Sequence, residues 1–419
     1  MIQIHQVLAT LSYGDAIGHE VLGIQDTLIR AGFKSDIFVE TADLRLESLT
    51  RPYHELPTVS GPDNILIHHF SIASMASRIA FALQDRMILI YHNITPPEYF
   101  INIHPLLVQL CYTGRRELTP YAKRCDLALG DSEFNRKELE HLGFEKTGVL
   151  SVVPNFTHLD VNPNRVVAGT FDDDWTNILF VGRMIPNKRI EDLIRIFHAY
   201  HLQHNPKSRL LLVGSYDGFE NYHASLRDLI TTLRTPDVHF TGQISDEELT
   251  AFYDVADMFL SASEHEGFCV PIVESFYKKI PVLAYAATAV PSTMDGAGIL
   301  YDTKVPEAVA TLMHTILAST DLQDWIILEQ EAALNRLQNR DFNGTLLNFV
   351  EQVRHAPRLP PHEISPTFWT QFEIIKRLEE LRLYRPAAFK ALPPEPYRSR
   401  ESLCSSGIDE ETFKGSEPR

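Results

Sequence analysis

Cysteine is scarce in this chain and scattered. The four residues, Cys111, Cys125, Cys269 and Cys404, include no C-x-x-C pair. Both a disulfide framework and a structural zinc site are therefore disfavoured, and a reducing, cytoplasmic setting is expected. Long apolar runs are also missing. The densest, Met87-Ile88-Leu89-Ile90-Tyr91, is strand-sized and far short of the roughly 18 to 20 residues of a membrane helix. The opening Met1-Ile2-Gln3-Ile4-His5 lacks the basic start and apolar segment of a secretory signal. Positive charge is in deficit, with 38 Lys+Arg against 55 Asp+Glu and a net charge of −17. Such a chain has no general attraction for nucleic acid, and its charge gives no support for peripheral membrane association.

What is present is enough apolar material, 44% of 419 residues, for two domains of ordinary size. Short apolar runs alternate with helix-length amphipathic stretches, the pattern of β-α-β units. Asn64 to His68 and Met87 to Tyr91 are continuous apolar runs, as strands buried on both faces should be. The expected fold class is α/β, with two doubly wound, Rossmann-like domains facing each other across a cleft. The first domain is assigned to 1–160, a polar linker to 161–176 and the second domain to 177–356. A last amphipathic helix is expected over 357–384, packing back on the first domain, and a disordered tail over 385–419. Ligands of such sheets bind outside the strand C-termini, so the cleft is the expected site.

Two segments carry the chemistry. In Ser263-Glu264-His265-Glu266-Gly267-Phe268-Cys269-Val270-Pro271-Ile272-Val273-Glu274, two carboxylates bracket a turn glycine with seven residues between them. A strand-to-helix turn of this kind presents backbone N–H groups to an anion. Carboxylates beside it suit hydroxyl groups, so a sugar or ribose next to a phosphate is the consistent ligand. The plainer alternative is a pair of surface glutamates in ion pairs. In Val181-Gly182-Arg183-Met184-Ile185-Pro186-Asn187-Lys188, a strand ends in glycine and two cations follow, five positions apart. Arg183 offers a planar fork to phosphate oxygens and Lys188 a compact charge. Elsewhere His92 ends a buried strand, where α/β sites often place a histidine. His68-His69 ends another, but adjacent strand residues face opposite ways, which disfavours a shared metal.

Together, V-G-R-x4-K and S-x-x-E-G-F-x-x-P-x-x-E resemble the retaining glycosyltransferases of family 4, the glycosyl transferases group 1, which have the GT-B fold. Val153-Pro154-Asn155, Val238 to Ile244 and Gly296 to Leu300 resemble further parts of that pattern. The resemblance implies a retaining, metal-independent hexosyltransferase of polysaccharide or glycoconjugate biosynthesis. It would take a nucleoside diphosphate sugar as substrate, with no cofactor and no metal, and a glycan, lipid or small-molecule acceptor. By position, Arg183 and Lys188 would bind the diphosphate, Glu266 the transferred sugar and Glu274 the ribose. Backbone amides of Gly267, Phe268 and Cys269 would serve phosphates and sugar, and Gln243-Ile244 would border the base. Gly14 would lie in the first glycine-rich loop near the phosphates, although Tyr13 to Gly18 fails the dinucleotide spacing. His92 would approach the sugar. Cys269 stands where the family commonly has glycine, and Ser292 where it often has glutamate. Other readings are a GT-B epimerase or phosphorylase, or a non-catalytic sugar-nucleotide-binding subunit. Asp172-Asp173-Asp174 is expected to be a solvated turn.

Overall fold

The computed structural model describes residues 2–14, 16–152 and 155–360. Its first sheet has seven strands: β1 (Ile4–Leu11), β2 (Ile37–Ala42), β3 (Thr50–Pro52), β4 (Ile65–Phe70), β5 (Arg86–Tyr91), β6 (Leu127–Gly130) and β7 (Thr147–Val149). The second has six: β8 (Thr176–Val181), β9 (Ser208–Val213), β10 (Val238–Gly242), β11 (Met258–Ser261), β12 (Val282–Tyr285) and β13 (Ile299–Tyr301). The orders are β3-β2-β1-β4-β5-β6-β7 and β10-β9-β8-β11-β12-β13. Every pairing in both sheets is parallel. Each order reverses once, beside β1 and beside β8, and the strand C-termini flanking those reversals are where such sheets bind ligands. All six residues of β4 and of β5 are buried, because helices cover both faces.

Eight helices enter the argument. They are α1 (Ala16–Arg30), α2 (Glu133–His141), α3 (Arg165–Phe171), α4 (Ile190–Gln203), α5 (Asp246–Asp254), α6 (Val270–Tyr277), α7 (Thr320–Gln338) and α8 (Phe342–His355). Among the described residues, no helix is long and apolar enough to cross a membrane.

Two boundaries differ from the sequence reading. The polar linker at 161–176 contains a helix, α3, whose first amides of Val166 and Val167 are capped by Asn164 Oδ1. An asparagine N-cap offsets the cost of a short helix, and Phe171 packs on Phe252 of α5. The second correction concerns the end of the second domain at 356: residues 325–355, largely helical in the sequence pattern, form two helices with different partners. Here Asn339 closes α7, and Asp341 caps α8 by accepting from the amide of Gly344. Leu334 and Leu337 of α7 stay with the second domain, packed with Val282 and Met294. Leu346, Val350 and Val353 of α8 instead join Ile65, Ile67, Ile88 and Leu129 of the first sheet. Gly148 makes the approach possible: a Cβ there would lie 2.8 Å from Phe349 Cζ. The segment that packs back is thus 342–355. The helix expected over 357–384 lies outside the described residues from 361 onward, as does the tail.

Candidate active site

The wall contributed by the second domain starts where β8 ends. Gly182 and Gly214 bring the β8 and β9 exits together, and a Cβ on Gly214 would stand 2.1 Å from Gly182 O. Arg183 follows, its guanidinium 5.7 Å from the centroid of Phe219, with no ion-pair partner among the described residues. Lys188 comes from the short turn before α4. Its Nζ donates to both Glu266 oxygens, each at 2.6 Å. Burial opposes the lysine's charge, but Glu266 overrides that and holds Lys188 above the ordinary lysine value. Glu266 itself is placed by the β11 exit loop, where its amide donates to Thr288 Oγ1 at 2.8 Å.

Gly267, Phe268 and Cys269 lead into α6. Cys269 takes a left-handed φ of 73° as the N-cap, a conformation that favours the glycine common at this place in the family. Burial, with Glu266 beside it, pushes the Cys269 thiol well above its ordinary value. The loop touches the first domain through Asn93, whose Nδ2 donates to Glu266 O at 3.3 Å and to Asn135 Oδ1 of α2 at 3.0 Å.

On the opposite wall, His92 leaves β5 and is held through both ring nitrogens. Nδ1 lies 3.0 Å from Asp131 Oδ2, and Nε2 lies 2.9 Å from His69 Nδ1. His69 Nε2 in turn meets Gln6 Oε1 at 2.9 Å. Gln6 donates its amide to Val21 O, so its Oε1 accepts from His69 Nε2–H. His69 Nδ1 then accepts from His92 Nε2–H, which leaves one proton shared between His92 Nδ1 and Asp131. Burial lowers His69 well below the ordinary histidine value, consistent with its neutral place in this relay. His68 faces the other way, toward Ser77 Oγ at 3.0 Å, as strand alternation requires.

Between the walls lies a cavity of about 340 Å³. The structure brings His92, Arg183, Lys188, Glu266, Gly267, Phe268 and Cys269 onto its surface. It does not bring Gly14, Gln243, Ile244 or Glu274 there. Gly14 sits in the turn after β1, and its neighbours Ala16 and Ile17 line the cavity instead. Gln243 is exposed after β10, and Ile244 packs on the second core. The Glu274 carboxylate, on α6, accepts from His158 Nε2 at 2.9 Å and from the Tyr253 hydroxyl at 2.7 Å. Burial alone lowers His158, but the bond to Glu274 and its charge carry it above the ordinary histidine value.

Sequence reasoning missed four residues here: Glu20, Asp131, His158 and Tyr253. Asp131 had a readable signal, a carboxylate at the C-terminal end of a buried strand. Glu20 on α1 had none, since a glutamate in an amphipathic helix reads as solvated.

Two facing doubly wound domains with this cleft define the GT-B architecture. The structure of Anabaena HepE in complex with UDP-glucose superposes with a TM-score of 0.65 at 16% identity, covering 84% of this chain and all (100%) of that one. Residues 164–329 of this chain match the family described as glycosyl transferases group 1. Over 152 residues it is 28% identical to the O-antigen chain mannosyltransferase B of Escherichia coli. Over 159 residues it is 30% identical to the GDP-mannose-dependent alpha-mannosyltransferase of Mycobacterium tuberculosis. These matches span 35% and 36% of this chain, and 37% and 38% of the relatives' own lengths.

Proposed function

We propose that the protein is a retaining glycosyltransferase that moves a sugar from a nucleoside diphosphate donor to a hydroxyl acceptor. The observation that carries this reading is the group of Arg183, Lys188 and Glu266 on one wall of the cavity, at the strand exits beside the β8 reversal. Arg183 and Lys188 receive the diphosphate and offset the negative charge that grows on it as the glycosidic bond breaks. Glu266, released from Lys188 as the phosphate arrives, accepts hydrogen bonds from hydroxyls of the transferred sugar. Glu274 accepts from the ribose, exchanging one of its present donors for a ribose hydroxyl. The amides of Gly267, Phe268 and Cys269 add donors to phosphate and sugar oxygens. His92 closes the opposite wall beside the sugar, its ring orientation fixed by Asp131 and His69. No metal is required, because the cations of the chain supply the positive charge. Cys111, Cys125 and Cys269 are free thiols, which supports a reducing, cytoplasmic setting.

The relatives' names support the class of reaction, and the UDP-glucose bound by the HepE protein supports the class of donor. The test is a thermal-shift screen of UDP-, GDP-, ADP- and dTDP-sugars. A ligand at a hundred times its dissociation constant stabilises by about 2.7 kcal/mol, readily seen as a raised Tm. Arg183→Ala should cut affinity for the ligand found by about ten-fold or more, the worth of a charge-assisted hydrogen bond. A parent protein stabilised by none of the four donors, or an Arg183→Ala variant that binds like the parent, would overturn the assignment.

A further inference from the structure

The wall contributed by the first domain holds carboxylate oxygens that donor binding leaves unused. Glu20 is only 5% exposed, yet neither of its carboxylate oxygens has a hydrogen-bond partner. Asp131 Oδ1 is also buried and unpartnered. Both residues line the cavity, across from Arg183 and Lys188. One ligand atom each from Glu20, Asp131 and His92 falls within 4.8 Å of the others. Buried polar atoms are rarely left unpaired, and two adjacent acids so left point to a ligand that pairs them.

We propose that Glu20 and Asp131 form the acceptor subsite and that the acceptor is a neutral polyol, with adjacent hydroxyls held between their unpartnered oxygens. This rests on the glycosyltransferase reading and adds the acceptor's class to it. Asp131 is the fixed member, because its other oxygen is tied to His92. Glu20, whose Oε2 lies 4.0 Å from His92 Nδ1 and makes no hydrogen bond, is able to turn toward a second hydroxyl. Burial and the neighbouring Asp131 push the Glu20 carboxyl up to about 8, with His92 opposing, so at neutral pH it carries a proton. The niche then both donates and accepts. A hydroxyl does both as well, whereas an ammonium group only donates and a metal ion only accepts electron pairs.

In the reaction, the oxygen of the hydroxyl held by Asp131 bonds to the anomeric carbon. The bond from that carbon to the diphosphate breaks, and its electron pair leaves with the phosphate oxygen. The hydroxyl proton passes to that same oxygen, on the face the diphosphate vacates. Glu20 and Asp131 take no net proton and act by holding the acceptor.

The test compares the parent with Glu20→Gln and Asp131→Asn, both close in size to the residues replaced. Nucleoside diphosphate affinity is measured by calorimetry. Acceptor KM and kcat are measured with glycerol, methyl α-D-glucopyranoside and methyl α-D-mannopyranoside. The expected result is a dissociation constant for the nucleotide within about two-fold of the parent, while acceptor KM rises by about ten-fold or more in each variant. Unchanged acceptor KM, or nucleotide affinity falling in step with it, overturns the proposal. So does a parent that binds nucleotide but transfers to none of these polyols, or one that prefers the 2-amino-2-deoxy glycoside to its hydroxyl twin. A restored rate on adding Mn²⁺ to the variants or the parent also overturns it and makes the cluster a metal site. A parent that binds no nucleotide sinks the donor reading instead.

Discussion

Glu266 and Glu274 lie eight positions apart, yet they meet different partners, and substitution should separate them. Glu266 is paired with Lys188, so bare diphosphate must displace a carboxylate to reach the lysine. Glu266→Gln should therefore bind a bare nucleoside diphosphate at least as tightly as the parent, while turnover of the sugar nucleotide falls. Glu274→Gln should weaken bare nucleotide and sugar nucleotide alike; calorimetry on both ligands checks the pair. Glu20 gives a pH signature. Its carboxyl sits at about 8 in the fold against an ordinary value of 4.5, raised by burial and by Asp131 and lowered by His92. A carboxyl raised on folding contributes stability that is complete below the unfolded value and is lost as pH rises through the folded one. Relative to Glu20→Gln, the parent should thus lose stability between about pH 4.5 and 8, seen as a widening Tm difference across that window. Arg183, Lys188 and Glu266 were legible in the sequence because a glycine turn, a strand exit and a helix start are all local. Asp131 showed only its place at the end of a buried strand, and Glu20 showed nothing, because their meaning comes from β5 and β6 lying side by side and from the face that α1 turns to the cleft. Gly14, Gln243 and Ile244 were placed by resemblance alone, and the cavity wall passes them by, as it does Glu274.

At the scale of elements, the β-α alternation was readable because buried parallel strands leave uninterrupted apolar runs. Helix boundaries were harder. The stretch from α7 to α8 is largely helical in pattern, and Asn339 and Asp341 mark the break between the two helices. A seven-residue helix such as α3 spans less than two turns, too few for a repeating apolar stripe; its N-cap Asn164 is the local sign of it. The partner of α8 makes a testable difference. Leu346 is completely buried against the first sheet, and Leu346→Ala removes a large side chain from a packed core. It should destabilise the protein by about 2–5 kcal/mol, read from urea unfolding. Because α8 lies away from the cavity, nucleotide affinity below the transition should match the parent. A change of affinity without loss of stability would contradict the packing described.

For the whole molecule, the net charge of −17 makes the supply of positive charge to a diphosphate a question of placement. The acidic run after α3 is already engaged at the surface: Asp173 with Arg209, and Asp174 with Lys207. Activity should accordingly persist in excess EDTA, and Asp173→Asn should be nearly silent; loss with EDTA and recovery with Mn²⁺ would contradict this. The route of the chain has a mechanical consequence as well. It leaves the core of the first domain after Leu150 and joins that of the second at Val152, and it returns between α7 and α8. Arg340 Nη1 donates to Ser151 Oγ at 2.9 Å, so the outgoing and returning strands are tied at one place. Two plates pinned at adjacent points can swing like a door but resist twisting against each other. Val152 lines the cavity next to that tie, so that corner is the expected axle of a swing between the domains. A donor and its acceptor would then enter by the edge opposite Val152, and the swing that admits them would leave the register between the two walls intact.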